Sequence, residues 1–372
     1  MCPQVHRIDK GGWSITIVGL GAVGSPVASL LVNMPGVRAL TLLDDDVYTL
    51  GNVAGQAIAP GDVGMPKAHA QARRLRRLNT SVEIDARVAR IEQVPLGILA
   101  QTNFAICCVD SRDSRRHNNR VWQHLNIPWI DVAVEPGGTL ARVSAYVPGK
   151  GSCLQCAWGP EEYASLAQRY PCQQASPAPA TRGNAATSAI AAALATMEAA
   201  KFIGDRRQEL LVDRQVHLDA LHHQLDVLHF DANPDCAADH TPWRIKPIAA
   251  SAKDLILGDA LALAGDGQRS AMRSDGQVFV QRLHCLSCAK RGRSMLRLSE
   301  RLRASQRTCR DCGGELVAAA FDVMDEVTVD SVSAARLARP LQDLGFLDGD
   351  VFTLVGPREP PVHFHIGAKS DG

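Results

Sequence analysis

The sequence predicts an α/β protein in which a parallel β-sheet is covered by helices on both faces, followed by a smaller α/β module that binds zinc. Short apolar segments alternate with amphipathic segments over residues 14–148, as buried parallel strands and their connecting helices do. A glycine-rich turn, GLGAVG, joins the first predicted strand to the first predicted helix. Two Cys-x2-Cys pairs between residues 285 and 312 have the spacing of a four-thiolate zinc site.

Each element is predicted from its local pattern. Strands are predicted at 14–18, 39–43, 82–91, 104–110, 127–134 and 141–148, with a hairpin at 214–230. Helices are predicted at 25–33, 67–78, 184–203 and near 252–264, whereas residues 151–183 read as irregular. We predict a first domain over residues 1–240, which contains a crossover loop at about 157–184, and a second domain over residues 241–372.

Composition narrows the class of function. The 372 residues are 46% apolar and carry a net charge of +1, so the pattern predicts large cores and no basic surface for nucleic acid. Charges or prolines interrupt the long apolar stretches, and we expect no membrane partner. Because the N-terminal segment lacks an apolar signal-peptide core, we expect a cytoplasmic protein whose paired cysteines bind metal.

The glycine-rich turn predicts a nucleotide site. Gly19 permits the tight turn, Gly21 lets a phosphate approach the backbone, and Gly24 lets the helix pack on the strand. Asp44 ends the second strand, where an acidic residue binds ribose hydroxyls. These four residues fit an NAD-binding protein equally well.

A longer series of polar residues favours a triphosphate over NAD. An acidic residue at the carboxyl end of a central strand faces the ligand crevice of an open α/β sheet and can hold Mg²⁺. A lysine that opens a helix can neutralise phosphate oxygens. Each residue taken singly is also compatible with an ordinary surface position. In chain order the series is Asp44, Asp46, Asn52, Gln56, Lys67 and Asp110.

Several motifs in this order resemble the ThiF/MoeB/HesA group of adenylating enzymes, which are bacterial relatives of the ubiquitin-activating enzymes. The resemblance runs from about Gly12 to His240, and implies a Rossmann-like adenylation domain. In that family the C-terminal glycine carboxylate of a ubiquitin-like protein attacks ATP·Mg²⁺ to form an acyl-adenylate and pyrophosphate. The motifs are GLGAVGS, LLDDDVYTLGNVAGQ, GMPKA, CVDS, PGKGSCLQC and MEAAKFIG.

The resemblance implies a role for individual residues. Asp44 would hold the ribose, and Asn52 and Lys67 would bind the phosphates, while Asp110 would take Mg²⁺ and line the adenylation site. Adenylyl transfer depends on neutralising charge at the α-phosphate, which such an arrangement of cations and dipoles provides.

Two arginines of the family pattern are missing here. Gly55 stands where the N-x-x-R-Q motif has arginine, and the usual arginine-bearing helix before the first strand is reduced to a short segment with Arg7. We therefore expect a homodimer in which Arg7 reaches the neighbouring ATP site, or compensation by an arginine of the same chain. The candidates are Arg112, Arg115 and Arg142.

Cys172 is predicted to carry the activated acyl group as a thioester. It lies in RYPCQQASPAPATRG, between the first Cys-x2-Cys pair and a helix rich in small residues. A thiolate is the attacking species in such chemistry. The position corresponds to the crossover loop that bears the thioester cysteine in activating enzymes. The sulfur-carrier branch of the family can work without such a thioester.

Two zinc sites are predicted. Cys285, Cys288, Cys309 and Cys312 form a four-thiolate set in a zinc-ribbon module. By resemblance to the family, Cys153 and Cys156 are half of a second site. Its other half is supplied within NPDCAADH, and we assign the ligands as Cys153, Cys156, Cys236 and His240.

These observations predict an enzyme that uses ATP, Mg²⁺ and Zn²⁺ to activate a ubiquitin-like protein and pass it to a conjugating enzyme. The zinc ribbon and Cys172 favour a conjugation pathway, similar to bacterial operons that act in antiphage defence. Three alternatives stay open at this point: adenylation of a ThiS- or MoaD-like sulfur carrier, an NAD-binding module, and a non-catalytic partner-binding scaffold.

Overall fold

The computed structural model describes residues 11–53, 55–56, 58–135, 137–167, 185–263, 270–288, 294–356 and 360–368. The chain divides into two compact units. The first comprises Met1–Ile91 and Ala100–Pro242, and the second comprises Glu92–Leu99 and Trp243–Gly372. The short segment at 92–99 thus belongs with the C-terminal unit, which the sequence pattern did not suggest.

The first unit is built on an eight-stranded mixed sheet of spatial order β3-β2-β1-β4-β5-β6-β7-β8. Strands β1 to β5 pair in parallel, and β6, β7 and β8 extend the sheet by antiparallel pairing. The predicted parallel sheet is confirmed for five strands. The strands are β1 Trp13–Val18, β2 Val37–Leu43, β3 Glu83–Arg87, β4 Phe104–Cys107, β5 Trp129–Val134, β6 Leu140–Tyr146, β7 Arg214–Asp219 and β8 Gln224–His229.

Helices cover both faces of this sheet. The first unit contains α1 Gly24–Leu31, α2 Lys67–Leu78, α4 Arg112–His124, α5 Pro160–Ala167 and α6 Ala185–Ile203, whereas the short α3 Leu96–Leu99 belongs to the second unit. On β5, Ile130 and Val132 join the core formed with α6, and Asp131 points to the opposite face, where α4 lies.

Three helices correct the sequence-based prediction. Residues 151–183 were predicted to be irregular, which is wrong for Pro160–Ala167, where α5 forms. The long helix α4 was not predicted, because its buried face carries polar side chains instead of an apolar stripe. In the second unit, the helix expected near 252–264 is reduced to α7 Leu257–Ala262, preceded by a turn at 252–254.

Among the described residues, α6 is the one helix that is long and apolar enough to cross a membrane by length and composition. In the structure it packs on α1, β5 and β6. In its last turn, the ring centroid of Phe202 lies 4.9 Å from that of Phe104 and 5.1 Å from that of Trp13. The apolar composition of α6 is therefore accounted for by its place in the core.

The second unit is described by itself. A four-stranded sheet of order β10-β16-β17-β9 is accompanied by a three-stranded sheet, β13-β11-β15, and a two-stranded ribbon, β12-β14. Phe352 stacks on Phe364 in its core. The elements are β9 Ile245–Ile248, β10 Ala271–Ser274, β11 Phe279–Val280, β12 His284–Cys285, β13 Arg297–Leu298, α8 Ala304–Arg307, β14 Leu316–Val317, β15 Val323–Met324, α9 Ala334–Leu337, β16 Val351–Val355 and β17 Val362–Ile366.

Candidate active site

The glycine turn between β1 and α1 is shaped by close backbone packing. Gly19 has a φ of +85°, and a Cβ there would lie 2.6 Å from the carbonyl oxygen of Cys108. A Cβ on Gly24 would lie 1.8 Å from the carbonyl oxygen of Gly19. At Gly21 the nearest atom is the Gln56 Nε2, 3.9 Å away. Packing thus requires glycine at two positions, while Gly21 leaves the backbone open to a ligand.

Asp44 ties the end of β2 to this turn. Its Oδ2 accepts a hydrogen bond of 2.6 Å from the Leu20 N–H, and its Oδ1 accepts one of 2.9 Å from the Asp46 N–H. Burial raises the pKa of Asp44, and the positive charge of Lys67 partly opposes that shift. The carboxylate therefore stabilises the turn, and its remaining lone pairs are what it can offer to a ribose hydroxyl.

Lys67 opens α2 and pairs with Asp46. Its ammonium lies 2.7 Å from the Asp46 carboxylate, and its backbone N–H donates to the Asp46 carbonyl at 2.9 Å. The lysine side chain is 10% exposed, whereas that of Asp46 is 67% exposed. The exposed Asp46 carboxylate thus holds the buried Lys67 ammonium in position. An anion that binds Lys67 would find this ammonium already oriented.

Tyr48 and Gln71 are structural members of the site that sequence reasoning missed. The buried Tyr48 hydroxyl donates to the Leu20 carbonyl at 3.0 Å, and the Gln71 Nε2 donates to the Tyr48 hydroxyl at 2.8 Å. Burial raises the pKa of Tyr48 to about 12. A tyrosine within a polar segment could have indicated such a role, because a buried phenol needs a hydrogen-bond partner.

Asn52 and Gln56 differ in how their side chains are used. The Asn52 Oδ1 accepts hydrogen bonds from the Thr49 N–H at 2.8 Å and the Thr49 hydroxyl at 3.0 Å, so it closes a local turn. The Gln56 Oε1 is buried and has no hydrogen-bond partner among the described residues. A buried polar atom without a partner is unfavourable, and this one lies on a side chain that faces Gly21. Gln56 is thus placed to bind a ligand at the glycine turn.

Asp110 presents an exposed carboxylate just beyond the end of β4. It has no hydrogen bond or ion pair to any residue within the described parts of the chain. Its neighbour Ser111 caps α4, because the Ser111 hydroxyl accepts a hydrogen bond of 3.1 Å from the Ser114 N–H. The carboxylate is therefore available at the edge of the sheet where parallel α/β folds bind ligands.

Arg115 and Arg142 both contact the buried carboxylate of Asp131. The Arg115 guanidinium binds Asp131 and the Val109 carbonyl, and it lies 3.1 Å from the Val132 carbonyl. Arg142 Nη2 lies 3.5 Å from the other Asp131 oxygen, and its side chain is 32% exposed. Arg115 is thus occupied inside the protein. Arg7 and Cys172 lie outside the described residues.

Arg112, the remaining candidate for a compensating arginine, lies 3.8 Å from Glu162 at the protein surface.

The first predicted metal site is assembled in the first unit. The Cys153 sulfur lies 3.8 Å from the Cys156 sulfur and 3.8 Å from the Cys236 sulfur, and the Cys156 sulfur lies 3.6 Å from the His240 Nε2. Ligands bound tetrahedrally at about 2.3 Å from zinc lie about 3.8 Å from one another. All four ligand atoms lie within 4.8 Å of one another. The donor set and its spacing fit a zinc ion.

The second predicted site is assembled within the C-terminal unit, beside the two-stranded ribbon of β12 and β14. Cys285 and Cys312 have sulfurs 3.4 Å apart, and those of Cys288 and Cys309 are 3.8 Å apart. These four sulfurs also lie within 4.8 Å of one another. Four thiolates gathered so closely repel one another unless a cation lies between them, so this set also fits zinc.

Residues 7–238 match the ThiF family. Among curated proteins, the chain is 29% identical over 159 residues to the ubiquitin-like modifier-activating enzyme 5 of Oryza sativa subsp. japonica, covering 39% of this chain and 38% of that protein. It is 31% identical over 147 residues to the sulfur carrier protein ThiS adenylyltransferase of Escherichia coli K12, covering 39% of this chain and 57% of that protein. The chain thus aligns with well under two thirds of the length of these relatives.

Solved structures of Escherichia coli MccB share the fold. The structure with succinimide has a TM-score of 0.51 at 21% identity and covers 61% of this chain and 66% of that one. The structure with ATP has a TM-score of 0.50 at 21% identity and covers 61% of this chain and 67% of that one.

The glycine turn yields a matched pair of variants. We expect Gly24→Ala to lower the free energy of unfolding of the first unit by about 3 kcal/mol, because its Cβ would overlap the Gly19 carbonyl. Gly21→Ala should change it by less than about 0.5 kcal/mol, since its Cβ meets nothing closer than 3.9 Å. Urea unfolding followed by tryptophan fluorescence measures this, since Trp13, Trp122, Trp129 and Trp158 lie in the first unit. Equal effects would contradict this description of the turn.

Proposed function

Because the chain belongs to the ThiF family, we propose that it uses ATP·Mg²⁺ to adenylate the C-terminal carboxylate of a ubiquitin-like protein. The observation that carries this proposal is the carboxylate of Asp110, which has no hydrogen bond or ion pair within the described chain. It lies just beyond the end of β4, the strand next to the open turn at Gly21. The similarity to the rice enzyme supports a ubiquitin-like substrate. NAD binding is the less favoured alternative, because it leaves Asp110 and Lys67 without a task.

In this mechanism a carboxylate oxygen of the partner attacks the α-phosphorus of ATP. The bond from that phosphorus to the bridging oxygen of the β-phosphate breaks, and pyrophosphate leaves with the bonding electrons. The glycine turn and the start of α1 offer backbone N–H groups to the phosphates. Lys67, Asn52 and Gln56 would add polar groups for the phosphates, and Asp44 would offer its remaining lone pairs to the ribose.

Asp110 is the residue that would hold Mg²⁺, together with phosphate oxygens. An exposed carboxylate at this position fits a cation that keeps part of its water shell. Bound there, the ion supplies positive charge that offsets the charge of the transferring and leaving phosphates. The cluster Asp44, Asp45 and Asp46 directly follows β2, on the other side of β1 from β4, and adds negative charge, which makes cationic neutralisation necessary.

We further propose that Cys172 takes the acyl group from the adenylate. Its thiolate would attack the acyl carbon and release AMP, and the resulting thioester would pass to the thiol of a conjugating enzyme. The other cysteines support this by their surroundings. Seven lie in the two metal sets, and burial raises the pKa of Cys107 and raises that of Cys108 to about 12. Of the eleven cysteines, Cys2 and Cys172 remain.

Adenylation of a ThiS- or MoaD-like sulfur carrier is the second candidate. The similarity to the ThiS adenylyltransferase favours it. The first step is the same in both candidates, so pyrophosphate exchange does not separate them. They differ in whether Cys172 is acylated by the partner. A scaffold without catalysis would show neither reaction.

We propose that both cysteine sets hold structural zinc. In the first unit the ligands join the segment after β6 to the segment after β8. In the second unit they join the two loops flanking the ribbon of β12 and β14. A tetrahedral site with four protein ligands leaves no open position, so the ions would stabilise the fold and take no part in the reaction.

The wider setting is proposed by analogy. A homodimer in which Arg7 serves the neighbouring site would supply the charge that Gly55 lacks. A cytoplasmic location and a role in an antiphage conjugation operon agree with the family resemblance.

Asp110→Asn should lower ATP–pyrophosphate exchange by about 100-fold or more, because the amide removes the negative charge that holds the cation. Asp113→Asn is the matched control, since Asp113 is exposed nearby and pairs with Arg116. It should retain exchange. Exchange is measured with purified ubiquitin-like partner and labelled pyrophosphate. Undiminished exchange in Asp110→Asn would remove Asp110 from the mechanism.

Cys172→Ala should retain pyrophosphate exchange and lose a reductant-sensitive covalent adduct with the partner. The change removes the thiol and leaves the nucleotide site intact. The adduct is detected by non-reducing electrophoresis and mass spectrometry, with Cys108→Ala as a control that should keep it. Persistence of the adduct in Cys172→Ala would show that another cysteine is acylated, whereas its absence from the unaltered protein would favour sulfur-carrier activation.

Elemental analysis should find two zinc ions per chain, and Cys236→Ala and Cys309→Ala should each retain one, because each removes one ligand of a separate site. Asp239→Asn should retain both, since His240 and not Asp239 completes the first set. Chelation should unfold the C-terminal unit, because the binding energy of a structural metal contributes to folding. One zinc or fewer in the unaltered protein would contradict the Cys153, Cys156, Cys236 and His240 assignment.

A further inference from the structure

We propose that Arg115 is a positioning residue that fixes the turn carrying Asp110, with Asp131 as its anchor. This inference rests on the proposed adenylation function. It assigns a role to Arg115 and Asp131, two buried charged residues that the adenylation mechanism itself does not use. Arg115 lies in the first turn of α4, and its side chain is 7% exposed. One of its terminal nitrogens donates to the Val109 carbonyl, and the other binds Asp131. Val109 immediately precedes Asp110.

The turn around Asp110 is held on both sides. Before it, the Cys108 N–H donates to the Val18 carbonyl at 2.7 Å, which joins the turn to β1. After it, Ser111 caps α4 through its hydroxyl. Between these points Arg115 holds the Val109 carbonyl against β5. The backbone on each side of Asp110 is thus fixed, while its own carboxylate makes no hydrogen bond or ion pair with a described residue.

The chemistry of the guanidinium suits this task. It is planar and presents donors on two terminal nitrogens in fixed directions, so one group can bind a carboxylate and a carbonyl at once. Arg115 binds Asp131 and also lies 3.1 Å from the Val132 carbonyl. A lysine would keep the charge but offers a single nitrogen. It would keep Asp131 or the Val109 carbonyl in place, but not both with the same geometry.

Stability alone does not account for this pair. The Asp131 side chain is 1% exposed, so both partners have lost most of their hydration. Removing two charges from water costs several kcal/mol per ion, and apolar replacements of similar volume are often as stable or more so. Arg142 lies 3.5 Å from the second Asp131 oxygen, which makes no hydrogen bond within the described chain. What the charged pair adds over an apolar pair is the hydrogen bonding of two backbone carbonyls, Val132 on β5 and Val109 beside Asp110.

The test compares three variants by the advantage that Mg²⁺ gives to ATP binding, which calorimetry measures as the ratio of dissociation constants without and with the ion. Arg115→Lys should lower this ratio by about tenfold, the usual effect of losing a group that orients a metal ligand. The double variant Arg115→Met, Asp131→Leu should lower it similarly and keep the stability of the unaltered protein. Arg116→Lys is the control, since Arg116 is half exposed and pairs with Asp113. It should leave the ratio unchanged.

Hydrogen exchange gives a second readout that does not depend on activity. In Arg115→Lys the backbone amides of residues 109–111 should exchange faster, while those of β4 remain protected. A folded double variant with an unchanged Mg²⁺ ratio and unchanged exchange would show that the pair is only a structural brace and would overturn the inference. If the double variant does not fold, an unchanged Mg²⁺ ratio and unchanged hydrogen exchange in Arg115→Lys would overturn the inference in the same way. Failure of the unaltered protein to bind ATP would instead refute the proposed function.

Discussion

The close contact between the turn after β1 and the end of β4 is the constraint on which the candidate site depends. Only glycine fits at position 19, because a side chain there would overlap the Cys108 carbonyl. Gly24 must also lack a side chain, because a Cβ there would overlap the Gly19 carbonyl where α1 begins. The Leu20 N–H and carbonyl that this geometry exposes are bound by Asp44 and Tyr48. The ends of β1, β2 and β4 are therefore joined at one point.

Polar groups around that point divide into those that shape the site and those left available. Asp44, Asn52 and Arg115 are engaged in hydrogen bonds that fix backbone positions. Asp110 and the Gln56 Oε1 have no hydrogen bond within the described chain. Such a division is expected of a site for a highly charged ligand, since dipoles that are already oriented stabilise developing charge without a further cost of reorganisation.

The cysteines of the chain likewise fall into groups with different roles, according to their surroundings. Sets of four potential ligands lie at distances that match tetrahedral zinc. At the end of β4, Cys107 is buried and the next residue, Cys108, is partly buried, and the pKa values of both are raised because burial disfavours the thiolate. One residue type thus serves metal binding and core packing, and the proposed function adds a nucleophile at Cys172. Distance and burial decide between these uses, as they do for thiols generally.

Local sequence patterns predict the apolar strands, the glycine turn, the order of the polar residues after β2, and both metal-ligand sets. These follow from short-range rules, since strand burial, turn geometry and ligand spacing are written in neighbouring residues. Tertiary structure decided what no local pattern encodes. Helix α4 hides its role because its buried face is polar, and only the fold brings Arg115 to Asp131, sixteen residues away. Likewise Tyr48 reaches the Leu20 carbonyl only once β2 has paired with β1. Which charges are held inside and which remain free is settled by packing between distant segments, because a charge is satisfied or left available only by the partners that the fold brings to it.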